Sequence, residues 1–208
     1  MRVLDAAGAK AILCAMMSLS AFVLLVGLVL QETPPADVEV APRTEFRTPE
    51  ARLEQRLDAL AQAQTPREAA PLVDEIRALW AHSGSDTISL LMDRGAAAEA
   101  AGDVDIAIRM YDHVTRLDPD FAEGWLAAGR MAARVEDWAY ALETLNTALT
   151  LEPRRYDAYL TLGRVLERAE ETQAALEAYD AALEIYPAHE DARQARDRLA
   201  DALAGRSL

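Results

Sequence analysis

Apolar and polar residues alternate along most of the chain with the spacing of amphipathic helices. In the middle of the chain, Trp125, Ala128 and Ala132 recur at steps of three and four, and a second apolar stripe begins at Ala141. Such spacing places side chains on one face of a helix. The short turn Val135-Glu136-Asp137 separates the two stripes. The pattern therefore predicts two helices joined as a hairpin.

The hairpin pattern repeats with a period of 34 residues. Three columns share this period: Gly95, Gly129 and Gly163; Ala107, Ala141 and Ala175; Pro119, Pro153 and Pro187. Glycine lets two helix backbones approach closely, and proline ends a helix because its nitrogen cannot donate a helical hydrogen bond. The period predicts three stacked hairpins, at residues 88–121, 122–155 and 156–189.

Helical patterns also flank the three repeats. Residues 50–84 contain two apolar stripes separated by Thr65-Pro66, a typical helix cap followed by a typical first residue. We expect a helical hairpin here, either a degenerate repeat or an N-terminal cap. Residues 190–204 carry apolar side chains on one face and charges on the others, which predicts a C-terminal capping helix.

The columns of large apolar, Gly, Ala, aromatic, Ala and Pro residues over residues 88–189 resemble the tetratricopeptide repeat. This resemblance implies an all-α fold, a right-handed α-solenoid whose first helices line a concave groove for a peptide or protein segment. Leu145 departs mildly from the pattern, because the family has an aromatic residue there. The stretches SGSDT at 83–87 and PDFAEGW at 119–125 also resemble bacterial exported or membrane-anchored members of the family, whose role is undefined.

An uncharged apolar stretch covers residues 11–30. Twenty helical residues span roughly 30 Å, the thickness of a bilayer core. Basic residues precede the stretch and acidic residues follow it, so the positive-inside rule places the rest of the chain outside the cytoplasm. We expect residues 1–30 to be a signal anchor, or alternatively a cleaved signal peptide, and residues 31–49 to be an extended linker. The repeat domain would then lie in the periplasm, anchored to the inner membrane or released from it.

The composition excludes several classes of function. With 35 acidic against 21 basic residues the formal net charge is −14, which opposes nucleic-acid binding. The single cysteine, Cys14, cannot form an intrachain disulfide, and the three histidines are too far apart in sequence for a metal motif. We therefore expect no cofactor, no metal and no catalysis. Acidic residues early in the predicted helices, such as Glu123 and Asp157, are expected to be solvated.

Against this acidic background, four arginines lie on the predicted groove face. They are Arg130, Arg134, Arg164 and Arg168, two at i, i+4 in each of two successive first helices. Because guanidinium groups bind carboxylates well, we expect them to bind an anionic feature of a partner. The residues expected to contact its apolar side chains are Met92, Leu126 and Leu160. The alternative is a surface ion network with Glu99 and Glu167.

Together these patterns favour a non-catalytic interaction scaffold of the bacterial cell envelope, which binds a peptide or protein segment in its groove. The rival hypothesis is an enzyme or small-ligand receptor with a site between residues 66–87 and the first repeat. Trp80, His82, Ser83 and Ser85 would supply polar groups there. Their spacing pairs no nucleophile with a base.

Overall fold

The computed structural model describes residues 48–206, and all the regular secondary structure in that range is α-helical. The helices are α1 (Pro49–Gln62), α2 (Pro66–Trp80), α3 (Asp86–Ala101), α4 (Val104–Leu117), α5 (Ala122–Arg134), α6 (Trp138–Leu151), α7 (Tyr156–Arg168), α8 (Thr172–Ile185) and α9 (Glu190–Arg206). Within residues 48–206, none of these helices is long and apolar enough to cross a bilayer. The span predicted at residues 11–30 lies outside the described residues.

Each predicted repeat contains one pair of packed helices. Helix α3 packs on α4, α5 on α6 and α7 on α8, and each pair also packs on the next. The turns within the pairs are alike, because Gly102, Glu136 and Glu170 stand 34 residues apart and all adopt a left-handed backbone, with φ of 83°, 61° and 62°. A left-handed residue ends a helix and reverses the chain. The 34-residue period is therefore a period of backbone conformation as well as of sequence.

The glycine column is needed because a side chain from the second helix of each pair fills the space beside it. A Cβ atom added at Gly95 would lie 2.5 Å from a ring carbon of Tyr111. One added at Gly163 would lie 2.8 Å from the ring of Tyr179. Real Cβ contacts are longer than this, so the two helices of a pair approach closely only where glycine stands.

The same two tyrosines are tied to glutamates on the first helix of their own pairs. The hydroxyl of Tyr111 donates to Glu99 at 3.2 Å, and the hydroxyl of Tyr179 donates to Glu167 at 2.6 Å. Both pairs occupy the same two columns, one in the first repeat and one in the third. The second repeat has Leu145 and an alanine in these columns, so the equivalent hydrogen bond cannot form there.

The buried tyrosines predict how stability depends on pH. Burial, with nearby carboxylates adding to it, raises the pKa of Tyr111, Tyr140 and Tyr156 to about 12. Tyrosine in the unfolded chain has a pKa of about 10. The stability that the fold gains by keeping these hydroxyls neutral is therefore complete below about pH 10 and is lost as pH rises towards about 12. We expect the midpoint of urea unfolding to fall over that interval, and less steeply in Tyr111→Phe. A midpoint that stays constant there would contradict this account.

Helices α1 and α2 form an N-terminal hairpin that packs on the end of the array furthest from it in sequence. The buried residues of the hairpin, including Leu57 and Ile76, share one apolar cluster with residues of α7, α8 and α9. Over the described range, this cluster contains no residue of α3 to α6. Thr65 caps α2 by accepting a hydrogen bond from the amide of Glu68 at 3.3 Å, and the helix continues through Pro71. The hairpin thus folds back over the repeats.

The last helix, α9, packs on α8 through an apolar face. Ala192, Ala195 and Leu199 are buried, whereas the charged residues between them are exposed. His189 precedes the helix, and its Nδ1 accepts a hydrogen bond from the amide of Ala192 at 3.2 Å. A polar outer face of this kind is what the end of a helical array requires in water.

Candidate functional site

The four arginines expected in the groove line a single cleft, with a volume of about 710 Å³. They project from α5 and α7, the first helices of the second and third repeats. The other wall residues are Glu99, Met131, Ala133, Glu136, Trp138, Thr161, Val165 and Glu167. The cleft so defined is termed the arginine cleft below. The i, i+4 spacing on each helix and the 34-residue period between the helices together bring the four guanidinium groups to one surface.

Most of this positive charge has no internal partner. Arg130 lies 3.8 Å from Glu99, a long contact between partly exposed side chains. Glu167 pairs with Arg198 at 2.6 Å, so it is engaged outside the cleft arginines. Within residues 48–206, the other three cleft arginines have no carboxylate oxygen within 4.0 Å. The ion network considered as an alternative therefore accounts for one arginine of the four.

The apolar residues expected beside the arginines have different environments. Met92 is half-buried and lines a neighbouring cavity of about 340 Å³, termed the first-repeat pocket. Leu126 is 1% exposed and packs in the core of the second repeat, and Leu160 is 6% exposed. Leu160 nevertheless lines a cavity beside the N-terminal hairpin, so contact of these two leucines with a partner stays a prediction.

A third cavity, of about 490 Å³, lies where the N-terminal hairpin meets the array and is termed the seam pocket. Its walls include Arg77 and Ala81 from the hairpin end and Tyr156 from α7. Arg130 lines all three cavities, and Ala81 lines the seam pocket and the first-repeat pocket. The three cavities are therefore parts of one groove, and the C-terminal end of α2 sits beside its middle.

The contact between the N-terminal hairpin and the third repeat is termed the seam. Arg155 lies in this seam and is 1% exposed. It forms ion pairs with Glu123 and with Asp157, the latter at 3.1 Å, and its guanidinium carbon lies 4.5 Å from the centre of the Trp80 ring. Burial lowers the pKa of Arg155, but Asp157 and Glu123 more than offset this, so the pKa is raised overall. The expectation that the two acids are solvated is wrong, because they compensate a buried cation.

Sequence reasoning missed Arg155 because its column gives no signal. The residues one repeat before and after it are Phe121 and His189, so no residue type recurs in this column. The useful signal was the acid pair itself, since Glu123 and Asp157 stand 34 residues apart in the sequence. Acids in equivalent first turns of stacked helices lie close together, and a cation between them relieves their repulsion.

The seam also holds two polar atoms without partners. The Nε1 of Trp80 and the hydroxyl of Tyr156 are both buried and, among the described residues, have no hydrogen-bond partner. The two rings are 5.5 Å apart, and Tyr156 also meets the edge of Tyr186 at 5.3 Å. An unmade hydrogen bond at a buried donor costs roughly 1–3 kcal/mol. The seam therefore buries many apolar side chains but leaves these two polar atoms without a hydrogen bond.

The serines named for the alternative enzyme site form local hydrogen bonds in the turn before α3. The hydroxyl of Ser83 donates to the carbonyl of Ser85 at 3.1 Å and lies 3.3 Å from the hydroxyl of Ser89. The hydroxyl of Ser85 accepts from the amide of Ile88 and caps α3. In the described part of the chain, no hydrogen bond joins His82 to these serines, and no group of His, Cys, Asp and Glu is arranged to hold a metal.

Stacked helical hairpins with a common period and a continuous groove define a helical-repeat protein. Residues 128–200 match the family model described as tetratricopeptide repeat. A TPR repeat-containing protein of Rhizobium etli is 35% identical over 89 residues, which is 43% of this chain, and the chain spans 44% of the length of that relative. The model and the relative support tetratricopeptide repeats in this chain.

Solved structures have the same arrangement of helices. The first TPR of Spaghetti (RPAP3), solved bound to an HSP90 peptide, is 23% identical with a TM-score of 0.56, over 58% of this chain and 95% of that one. The MamA protein is 29% identical with a TM-score of 0.53, over 57% of this chain and 64% of that one. These similarities support the all-helical solenoid fold over rather more than half of the chain.

Proposed function

We propose that this protein is a non-catalytic scaffold whose arginine cleft binds an acidic segment of a partner protein. The observation that carries the proposal is the set of four arginines on one cleft wall, three of them without an ion pair among the described residues, in a chain of net charge −14. Guanidinium groups held without a carboxylate partner attract an external one, since their fork geometry suits bidentate contact.

The fold adds support of a different kind. Helical-repeat arrays present long grooves that suit extended segments. The Spaghetti repeat that this chain resembles was solved with a peptide of sequence SRMEEVD, which contains three acidic residues. The groove of this chain offers cations where such a peptide offers carboxylates. Attraction between opposite charges would also speed the encounter of the partner with the cleft.

The test is a charge reversal in the cleft. We expect Arg134→Glu/Arg168→Glu to weaken binding of fluorescent hexaglutamate by at least about tenfold, because two attractive charges become repulsive. Both side chains are exposed, so the fold is expected to persist. The measurement is fluorescence anisotropy at low and moderate salt.

The matched control reverses two exposed arginines outside the cleft, Arg67→Glu/Arg109→Glu, which changes the net charge by the same amount. We expect the control to bind hexaglutamate far more tightly than the cleft variant. Equal loss in both variants would mean that only net charge matters. Absence of binding to the unaltered protein would reject the acidic-segment proposal.

We further propose that the scaffold acts in the bacterial cell envelope, with residues 11–30 as its inner-membrane anchor and the repeats in the periplasm. The support is the uncharged apolar stretch preceded by basic residues. N-terminal sequencing of the mature protein distinguishes an anchor from a cleaved signal peptide. Recovery of the protein in the cytoplasmic soluble fraction with its first residues intact would contradict both.

A further inference from the structure

Among the described residues, helix α3 lacks the preceding neighbour on which the later first helices, α5 and α7, pack. Leu90 is 51% exposed, and Arg94 and Ala97, which share its helix face, are exposed as well. One repeat later the equivalent residues are Gly124, Ala128 and Met131, all buried. Two repeats later they are Ala158, Leu162 and Val165, which are buried or half-buried. The face of Leu90, Arg94 and Ala97, termed the α3 stripe, is therefore a position where a preceding hairpin could pack, and no helix within residues 48–206 covers it.

The chain segment just before α3 has the dimensions of such a hairpin. Helices α1 and α2 begin at residues 49 and 66, an offset of 17, against an offset of 16 between α5 and α6. The five residues 81–85 join α2 to α3, against four between α6 and α7. Two hydroxyls and a left-handed Gly84 shape this connection. The N-terminal hairpin is thus built like a repeat and connected like one, yet it packs on the third repeat.

The C-terminal end of the hairpin forms part of the groove wall. Ala81, at the end of α2, lines both the seam pocket and the first-repeat pocket, and Arg77 reaches the seam pocket. The arginine cleft itself has no wall residue from the hairpin. A short acidic segment therefore has access to the cleft, whereas a longer one that continues past Arg130 meets the end of α2.

The contacts that hold the hairpin in this seat are partly polar. Arg154 reaches Glu54 at 2.6 Å and Asp58 at 2.9 Å, both across exposed surface. The seam beneath contains the two unpartnered atoms of Trp80 and Tyr156. Release of the hairpin would let water bond to both groups, and the α3 stripe would give its apolar face a second place to pack.

We propose that the N-terminal hairpin is a displaceable lid on the groove and that the α3 stripe is its second seat. The proposal rests on the proposed function for the identity of the groove ligand, but the movement itself does not depend on it. A partner segment long enough to occupy the whole groove competes with the end of α2. The hairpin then stacks on α3 as a preceding repeat and extends the array by one unit.

The movement is tested by thiol labelling in the full chain with Cys14→Ser. A cysteine at Ala97 reports on the stripe, and one at Ala100, exposed on α3 outside the stripe, is the control. In Trp80→Ala we expect maleimide labelling at position 97 to slow by about tenfold or more while position 100 is unaffected. Unchanged labelling at position 97 would overturn the second seat.

A second variant that weakens the contacts of the hairpin controls for the possibility that Trp80→Ala disrupts folding. Glu54→Arg/Asp58→Arg places repulsion opposite Arg154 without altering the core, and Asp105→Arg/Glu184→Arg makes the same change of charge elsewhere. We expect slower labelling at position 97 in the first pair and normal labelling in the second. Slow labelling in both would show a general effect of charge and would overturn the proposal.

The competition is tested with two probes, hexaglutamate and dodecaglutamate. Asp58→Cys/Arg154→Cys, joined by a short bis-maleimide in the Cys14→Ser background, holds the hairpin down. We expect hexaglutamate to bind the cross-linked and Trp80→Ala proteins alike, and dodecaglutamate to bind Trp80→Ala at least about tenfold more tightly than the cross-linked protein. Equal binding of dodecaglutamate to both would reject the lid. If neither peptide binds any variant, the acidic-segment proposal fails, and the labelling result still decides the movement.

Discussion

Arg155→Met is expected to lower the free energy of unfolding by about 3 kcal/mol, because it leaves two acids facing each other without the buried cation that pairs with both. The methionine keeps most of the aliphatic stem, so lost packing contributes little. Glu123 and Asp157, whose side chains are 17% and 23% exposed, would remain in a poorly hydrated seam. Urea unfolding followed by circular dichroism measures the change.

The neighbouring residue supplies the control. Arg154 also pairs with two acids, Glu54 and Asp58, but all three side chains are substantially exposed. Arg154→Met is therefore expected to cost no more than about 1 kcal/mol. Adding Glu123→Gln/Asp157→Asn to Arg155→Met should recover part of its loss, because the uncompensated charges are removed. Similar losses at both arginines would show that burial is not what makes Arg155 important.

Trp80→Ala is expected to cost about 3–5 kcal/mol, with the loss concentrated in the N-terminal hairpin. Trp80 is 6% exposed and contacts Arg155 and Tyr156, so its removal leaves a cavity in the seam between the hairpin and the third repeat. Helices α3 to α6 share no apolar cluster with the hairpin. Hydrogen exchange should therefore accelerate in α1 and α2 and stay slow in α5 and α6.

Trp80→Phe separates packing from hydrogen bonding at the same position. Phenylalanine retains an aromatic ring beside Arg155 and removes the Nε1 group that has no partner among the described residues. We expect a much smaller loss than in Trp80→Ala, because the deleted donor was desolvated without compensation. Uniformly faster exchange across all helices in Trp80→Ala would show that hairpin and array unfold as one unit.

The repeats were predictable because their information is local and periodic. Gly163 and Tyr179 lie in one hairpin, so the close approach they require could be read from columns recurring at a fixed period. The arginine cleft was predictable for the same reason, since Arg130 and Arg164 are one period apart on equivalent helices. Contacts between residues that recur at the repeat period could therefore be inferred.

The seam was not predictable because it joins parts of the chain that no period relates. Trp80 was recognisable as a packing residue of the hairpin, but nothing local shows that its ring lies against Tyr156, 76 residues later. Leu126 was assigned to the groove from its repeat position, although neighbouring helices cover its side chain. Burial is a property of the assembled array, and one sequence read repeat by repeat does not contain it.

The tyrosine–glutamate pairs of the first and third repeats also bear on how the chain finds its register during folding. Similar repeats can exchange partners, so that the second helix of one packs on the first helix of another. Such an exchange with the second repeat would place Glu99 or Glu167 opposite Leu145, or a tyrosine hydroxyl opposite an alanine. Each mispairing leaves a polar group without its partner. The alternation of tyrosine–glutamate pairs with an apolar pair along the array therefore disfavours helix packing that is out of register by one repeat.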